Sequence, residues 1–209
     1  MPDILRLRLS SVDGVEADRH LFDLIADEPR FMPHLHLSLQ HGDDLILKRM
    51  KRRHSRADAL SFCHQVRRLR PEVSFGADMI AGFPTETEEM AERSASLAAE
   101  CGIANLHVFP YSPRPGTPAA RMPQLDRAVI KARAARLREF GRQLHLAHLA
   151  SMAGSRQMIL VESNGLAHTE NFTLVDAAGL APRDLVPVIV TGHNGKHLTM
   201  RTDPASLRN

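Results

Sequence analysis

His34-Leu35-His36-Leu37-Ser38-Leu39-Gln40 alternates strictly between polar and apolar residues, the period-two signature of a half-buried strand. One parity, Leu35, Leu37 and Leu39, suits a face packed against helices. The other, His34, His36, Ser38 and Gln40, is large and polar. The same division recurs upstream, where Leu5, Leu7 and Leu9 alternate with Arg6, Arg8 and Ser10. It recurs downstream, where Ser74, Gly76 and Asp78 share one face of a strand over Val73–Ile80. A doubly wound parallel sheet is buried on both faces and reads apolar on both. A barrel with a ligand-lined interior tolerates a polar inward set, so the pattern points to a partial barrel whose interior holds something polar.

Outward from that strand, strand-like and helix-like segments alternate. Leu21, Leu24 and Ile25 share one face of a helix from about Glu16 to Asp27. A turn at Gly42 opens a helical stretch through Arg70, and the strand Val73–Ile80 is closed by Gly82-Phe83-Pro84. Glu86–Cys101 reads as a helix with Thr85 as N-cap and Gly102 as C-cap. Leu106–Tyr111 is a fourth strand before the loop Ser112-Pro113-Arg114-Pro115-Gly116. This alternation implies parallel βαβ units with right-handed crossovers. Four parallel strands do not close a barrel, which takes about eight around packed side chains, and a first strand at Leu5–Leu9 has an edge that needs a partner. The expected fold class is α/β: a partial parallel (β/α) barrel lacking its first strands, over residues 1–153, closed by a long helix from about Gln124 to Ala153. After Gly154 come short strands, Met158–Val161, Leu166–Val175, Val186–Thr191 and His197–Arg201, punctuated by Asn164-Gly165, Gly179, Pro182 and Asn194-Gly195. Residues 154–209 are expected to form a small all-β, OB-like barrel.

With 209 residues, 43% hydrophobic and 24% charged, the chain has enough apolar content for a core and no tract that reads as disordered. No apolar run approaches the roughly 18 residues of a membrane span, and the first residues do not read as a signal peptide. Two cysteines, Cys63 and Cys101, are too few for a disulfide framework and point to a cytoplasmic protein. Two thiolates also fall short of the three or four that a four-iron cluster takes. The net charge is only +3, but Lys48, Arg49, Lys51, Arg52, Arg53 and Arg56 crowd one stretch without an acidic residue between them. That cluster suits a polyanion or the solvated face of a helix. With 4% aromatic residues, stacking platforms for single-stranded nucleic acid are scarce.

Three stretches carry chemistry. In Asp78–Thr87 an inward Asp and a bare Gly close a strand, where barrel folds place their reactive groups. In His36–Asp44, Ser38 and Gln40 share the inward parity and suit hydrogen bonds to a ribose or an amino-acid moiety. In His107–Thr117, Phe109 offers an apolar edge for an adenine. No metal site is expected. His34 and His36 lack a third ligand and read as satisfied core residues, His145 and His148 as surface residues, and both cysteines as small buried hydrophobes. A P-loop, a Rossmann glycine fingerprint and a nucleophile elbow are absent.

Taken in order, RLRLSSVD (6–13), HLHLSLQHGDDLILKRMKRRHSR (34–56), ADMIAGFPTETEE (77–89) and LHVFPYSPRPGTPAARMP (106–123) resemble the back half of the radical-SAM methylthiotransferases. The branch acting on tRNA threonylcarbamoyladenosine is the best match. Leu166–Phe172 resembles part of the small RNA-binding TRAM barrel that ends those enzymes. The resemblance implies a (βα)6 barrel holding S-adenosylmethionine and a 4Fe-4S cluster whose cysteine ligands are not in this chain. It further implies that the chain starts at the third barrel strand, as a truncated or fragmentary enzyme that is inactive alone unless a separate chain supplies the cluster-binding segment. The family reaction is 2-methylthiolation of the modified adenosine at position 37 of tRNA. Carried over by position, Ser10, Ser38, Gln40 and Asp78 would face the ribose and methionine parts of the cofactor, and Gly82 and Phe109 its adenine. The cluster from Lys48 to Arg56 and the terminal barrel would meet tRNA phosphates, which makes binding salt-dependent. Two alternatives stand beside this reading: the isopentenyladenosine or ribosomal-protein branch, against which Ser38 leans because Pro is expected there in the isopentenyladenosine branch, and a non-catalytic RNA-binding protein.

Overall fold

In the computed structural model, which describes residues 4–9 and 11–203, the alternating heptapeptide is a strand with the bounds its pattern sets. The chain enters through a segment whose strand-type pairing, among the described residues, is confined to two isolated parallel bridges, Leu7 with Phe31 and Val12 with Leu37. The expected strand at Leu5–Leu9 is therefore not formed as an element. Its partner segment contains Pro33, which has no N–H to donate, so the ladder breaks between the bridges. Leu7 and Leu9 still pack on the core, whereas Leu5 is exposed. Helix α1 (Arg19–Asp27) follows, its start capped by the Asp18 side chain. Then come strand β1 (His34–Gln40) and two helices, α2 (Asp44–Arg49) and α3 (Arg56–Leu69), where the sequence suggested one. Lys51 at φ 58° reverses the chain between them, and a reciprocal Ser55–Asp58 capping box starts α3.

Strand β2 (Ser74–Ala81), helix α4 (Glu88–Glu100) and strand β3 (Ile103–Pro110) complete a three-stranded parallel sheet in the order β1-β2-β3. His34 pairs with Ser74 and Phe75 with Ile103. The N-cap of α4 is Thr87 rather than Thr85. Thr85 sits at φ 69°, outside the extended region that N-caps adopt. Leu35, Leu37, Leu39, Phe75, Ala77, Met79 and Ile103 are buried in one core with Phe62, Val66 and Leu97 from the helices. Helix α5 (Arg127–Ser151) lies along β3 so closely that a Cβ on Gly141 would come within 2.9 Å of Leu106 Cβ. Both cysteines lie in this core, fully buried and unoxidised. The hydrogen bond between their thiols, together with burial, raises the pKa of Cys63.

The remaining strands, β4 (Arg156–Val161), β5 (Leu166–His168), β6 (Leu174–Asp176), β7 (Leu185–His193) and β8 (Leu198–Thr202), form a closed barrel in the order β4-β5-β6-β8-β7. Its own core of Ile159, Val161, Ala167, Val175, Val188, Val190 and Leu198 is joined by Leu149 and Met152 from the end of α5. The single strand expected over Leu166–Val175 is split. Thr169 and Thr173 both donate their hydroxyls to Asn171 Oδ1, and Thr169 Oγ1 also accepts from the Thr173 amide. These side chains thus offer the backbone a tight loop in place of a ladder.

That loop docks where β1 and β2 begin. Ser74 donates its hydroxyl to the Asn171 carbonyl at 2.5 Å, and Arg8 donates to the Thr169 and Glu170 carbonyls. The Phe172 ring lies between His34, His168 and the Arg8 guanidinium. His148, expected at the surface, is instead turned into this junction, with Nε2 2.8 Å from Thr173 Oγ1. Burial lowers the pKa of His34 and of His148 from 6.5 to about 4, and Arg8 adds to the effect at His34.

Both histidines are neutral when folded and bind a proton more readily once unfolded, so stability is complete above about pH 6.5 and falls as the pH drops toward 4. The slope is at most roughly 1.4 kcal/mol per pH unit for each. Urea unfolding between pH 7.5 and 4.5 should show the midpoint falling, and the fall should be shallower in His148→Gln. An equal slope in that variant would contradict the burial assigned to His148.

Candidate functional site

The strands of a parallel α/β sheet deliver their ligands at their carboxyl ends, and there the structure has an open groove of about 690 Å³. Gln40 from β1, Asp78 and Ile80 from β2, and Phe109 and Pro110 from β3 form its floor. Arg49, Met50, Lys51 and Arg52, from the end of α2 and the turn after it, form one wall. Tyr111, Ser112 and Arg114 of the loop after β3 form the other. Three non-glycine residues at the groove or next to it hold left-handed backbone, Gln40 at φ 64°, Lys51 at φ 58° and Thr85 at φ 69°. Such conformations cost about 1–3 kcal/mol each and gather at ligand sites. Among the described residues the Tyr111 hydroxyl is buried without a partner, and its ring meets Phe83 edge-on at 5.3 Å.

One carboxylate fixes this end of the sheet. Glu86, fully buried, accepts from the Gly82 amide at 2.9 Å and from Arg133 of α5 at 2.9 Å, and lies 3.0 Å from His41 Nε2, just beyond β1. Burial works against its charge, but the hydrogen bonds and the charges of His41 and Arg133 outweigh it and hold its pKa below the ordinary range. Gly82 itself is required by packing. It has φ 79°, and a Cβ there would come within 2.8 Å of the Ile130 side chain on α5.

On the inward face, β1, β2 and β3 present His36, Asp78 and His107. His36 Nε2 lies 2.9 Å and His107 Nδ1 3.4 Å from Asp78 Oδ1. Their donor atoms all lie within 4.8 Å of one another, close enough for two imidazoles and a carboxylate to share a divalent cation. As two flanking partners they also orient Asp78. Among the described residues Asp78 Oδ2 has no hydrogen bond, which leaves it free to accept from a ligand hydroxyl.

Of the residues singled out by sequence, Gln40, Asp78 and Phe109 line the groove, and Phe109 is 51% exposed there. Ser38 lines a small separate cavity against Val12 and Gly14, with its hydroxyl 3.1 Å from that of Ser11. Gly82 faces α5, and Ser10 lies outside the described residues. The basic cluster is dispersed by pairing. Arg52 bonds Asp13 at 2.8 Å and the Ser38 carbonyl, Arg53 bonds Glu16, and Arg56 bonds Glu100 and the Arg93 carbonyl. Lys48 is exposed, and Arg49 and Lys51 line the groove. Sequence reasoning missed Tyr111 and Arg114 as groove residues and His107 as a partner of Asp78. The shared parity of His107, Phe109 and Tyr111 along one strand was the available signal.

The chain is similar to known proteins in sequence and in fold. Residues 3–98 match the Radical SAM superfamily. The chain is 54% identical over 172 residues to a threonylcarbamoyladenosine tRNA methylthiotransferase of Rickettsia prowazekii, covering 82% of this chain and 41% of that protein. It is 35% identical over 201 residues to a tRNA-2-methylthio-N(6)-dimethylallyladenosine synthase of Methylococcus capsulatus, covering 89% and 43%. In structure it resembles the Escherichia coli coproporphyrinogen III oxidase HemN, a radical SAM enzyme, with a TM-score of 0.56 at 14% identity over 92% of this chain and 50% of that one. This supports the partial (β/α) barrel as the fold. The chain spans well under half the length of the curated relatives named here.

Replacing Glu86 by Gln removes the charge that His41 and Arg133 share and should cost about 3 kcal/mol in urea unfolding. Glu88→Gln, at an exposed pair with Arg133 and Arg136, should cost no more than about 1 kcal/mol. The Glu86 contribution is present above about pH 4.5 and is lost as the pH falls through its lowered folded pKa. Equal losses in the two variants would contradict the anchoring role of Glu86.

Proposed function

From its kinship with the radical-SAM tRNA methylthiotransferases, borne out by these matches, we propose that this chain is the later part of such an enzyme. Its substrate is threonylcarbamoyladenosine at position 37 of tRNA, and its site of action is the cytoplasm. Residues 154–209 serve as a TRAM-like RNA-binding barrel, and residues 1–153 as the cofactor-holding part of the barrel. No helix among the described residues is long and apolar enough to cross a membrane. The observation that carries the reading is the groove at the ends of β1–β3, whose floor combines an oriented carboxylate with an exposed aromatic ring.

S-adenosylmethionine fits that floor. Asp78, steadied by His36 and His107, has a free oxygen for a ribose hydroxyl. Gln40 offers an amide to the amino-acid part, and Phe109 a flat apolar surface to the adenine. When bound, this cofactor supplies the radical chemistry of the family. The protein's part is to orient it and to close the groove around it, with the Tyr111 hydroxyl as a further polar contact. An iron–sulfur cluster does not fit the residues present. The two cysteines are enclosed in the core as free thiols that face each other, with no third cysteine in the sequence. Cluster ligands must come from residues outside this chain, either from the rest of a longer enzyme or from a partner chain, and these 209 residues alone are inactive in methylthiolation.

Equilibrium dialysis with labelled S-adenosylmethionine tests the cofactor site. The 209-residue chain should bind it, and Asp78→Ala should lose about tenfold or more in affinity, as expected for a lost hydrogen bond to a charged group. Phe109→Ala should lose less. Unchanged affinity in both variants would move the cofactor out of this groove, and no binding by the unaltered chain would contradict the reading.

A further inference from the structure

Within the groove, one cation is held in place with no counter-charge beside it among the described residues. Arg49 ends α2, is half-buried, and donates from Nη1 to Thr85 Oγ1 at 2.5 Å. The Thr85 hydroxyl gives its own proton to the Pro84 carbonyl, so its lone pair is aimed at Arg49. Thr85 keeps this arrangement in left-handed backbone at φ 69°. Every neighbouring arginine of the cluster is neutralised: Arg52 by Asp13, Arg53 by Glu16 and Arg56 by Glu100. Across the same end of the sheet, Arg93 pairs with Asp43 and Arg133 with Glu86. Arg49 has no carboxylate within salt-bridge reach among the described residues. Among the described residues Asp78 is the one acidic residue lining the groove, and its Oδ1 already faces two histidines.

A guanidinium tethered at one nitrogen keeps the rest of its donor fork for a planar anion, and a carboxylate matches that fork in two parallel hydrogen bonds. Lys51 and Arg114, both exposed and without a carboxylate partner among the described residues, line the same groove and add to its positive field. The two nucleosides in the relatives' names differ in this respect. A threonylcarbamoyl substituent ends in a carboxylate, whereas a dimethylallyl substituent is wholly apolar.

Resting on the function proposed above, we infer that Arg49 is the specificity-determining residue of this groove: it receives the carboxylate of the threonylcarbamoyl group on the target adenosine. Thr85 acts through it as a positioning residue. An uncharged substituent would leave the guanidinium desolvated and unpaired, so the groove rejects it through the cost of that burial as well as through lost attraction. Two other anions share the chemistry, RNA phosphate and the carboxylate of S-adenosylmethionine, and the experiment separates all three.

Three anticodon stem-loop RNAs of one sequence would carry, at the target adenosine, the threonylcarbamoyl group, its methyl ester or the dimethylallyl group. Their binding to the 209-residue chain and to Arg49→Gln and Arg49→Lys would be followed by fluorescence anisotropy, alongside S-adenosylmethionine affinity and the urea midpoint of each variant. The unaltered chain should bind the threonylcarbamoyl RNA about tenfold more tightly than its methyl ester or the dimethylallyl RNA. Arg49→Gln should remove that preference, with S-adenosylmethionine affinity unchanged, and Arg49→Lys should retain part of it. A preference that survives Arg49→Gln would overturn the assignment. So would an equal loss for all three RNAs, which marks a phosphate contact, or a parallel loss of S-adenosylmethionine affinity, which marks the methionine carboxylate. If the unaltered chain binds none of the RNAs, the tRNA reading itself fails together with this inference.

Discussion

The buried carboxylate of Glu86 is the constraint on which the carboxyl end of the sheet depends. One side chain links the residue after β1, the amide that closes β2 and the arginine of α5 that lies over both. A charge taken out of water at this depth is tolerable only with all its partners in place, so the network admits little drift. Its consequences reach the groove. Gly82 is forced against Ile130, Thr85 is left in left-handed backbone, and Thr85 in turn aims Arg49. The structural ion network thus adjoins the turn from which Thr85 holds Arg49.

The inward face of the sheet shows how one polar stripe serves two ends. Where the strands begin, Arg8, His34 and Ser74 receive the Thr169–Thr173 loop of the small barrel. Further along, His36 is hydrogen-bonded to Asp78 with His107 3.4 Å from the same oxygen, and at the strand ends Asp78, Gln40 and Phe109 open into the groove. The docking loop and the groove therefore lie at opposite ends of the same strands.

Much of this was legible in the sequence where the signal is local. Strict alternation in His34–Gln40 set the bounds of β1 and assigned its two faces, because the period of a strand acts residue by residue. Signals that depend on distant partners were not legible. The run from Lys48 to Arg56 reads as a free basic patch until Asp13, Glu16 and Glu100, 39, 37 and 44 residues away from their partners, are seen beside it. His148 reads as a surface residue of a helix until the small barrel covers it. Thr85 reads as the cap of α4 until its backbone is seen at φ 69°, outside the extended region of N-caps, and Thr87 caps the helix instead. The strand expected at Leu5–Leu9 failed for a reason that was visible, since Pro33 lies in its partner segment. In the groove, Asp78 and Phe109 followed from parity, whereas Arg49 was grouped with its neighbours because charge alone does not show which cation lacks a partner.

The most direct test of the central claim is nucleoside mass spectrometry of tRNA from cells lacking the gene, given back either these 209 residues or a longer chain that adds a cluster-binding segment. The 2-methylthio derivative of threonylcarbamoyladenosine should disappear with the gene and return only with the longer chain. No change in that nucleoside on loss of the gene would contradict the tRNA assignment. Restoration by the 209 residues in cells with no other source of the cluster-binding segment would contradict the inactivity assigned to them.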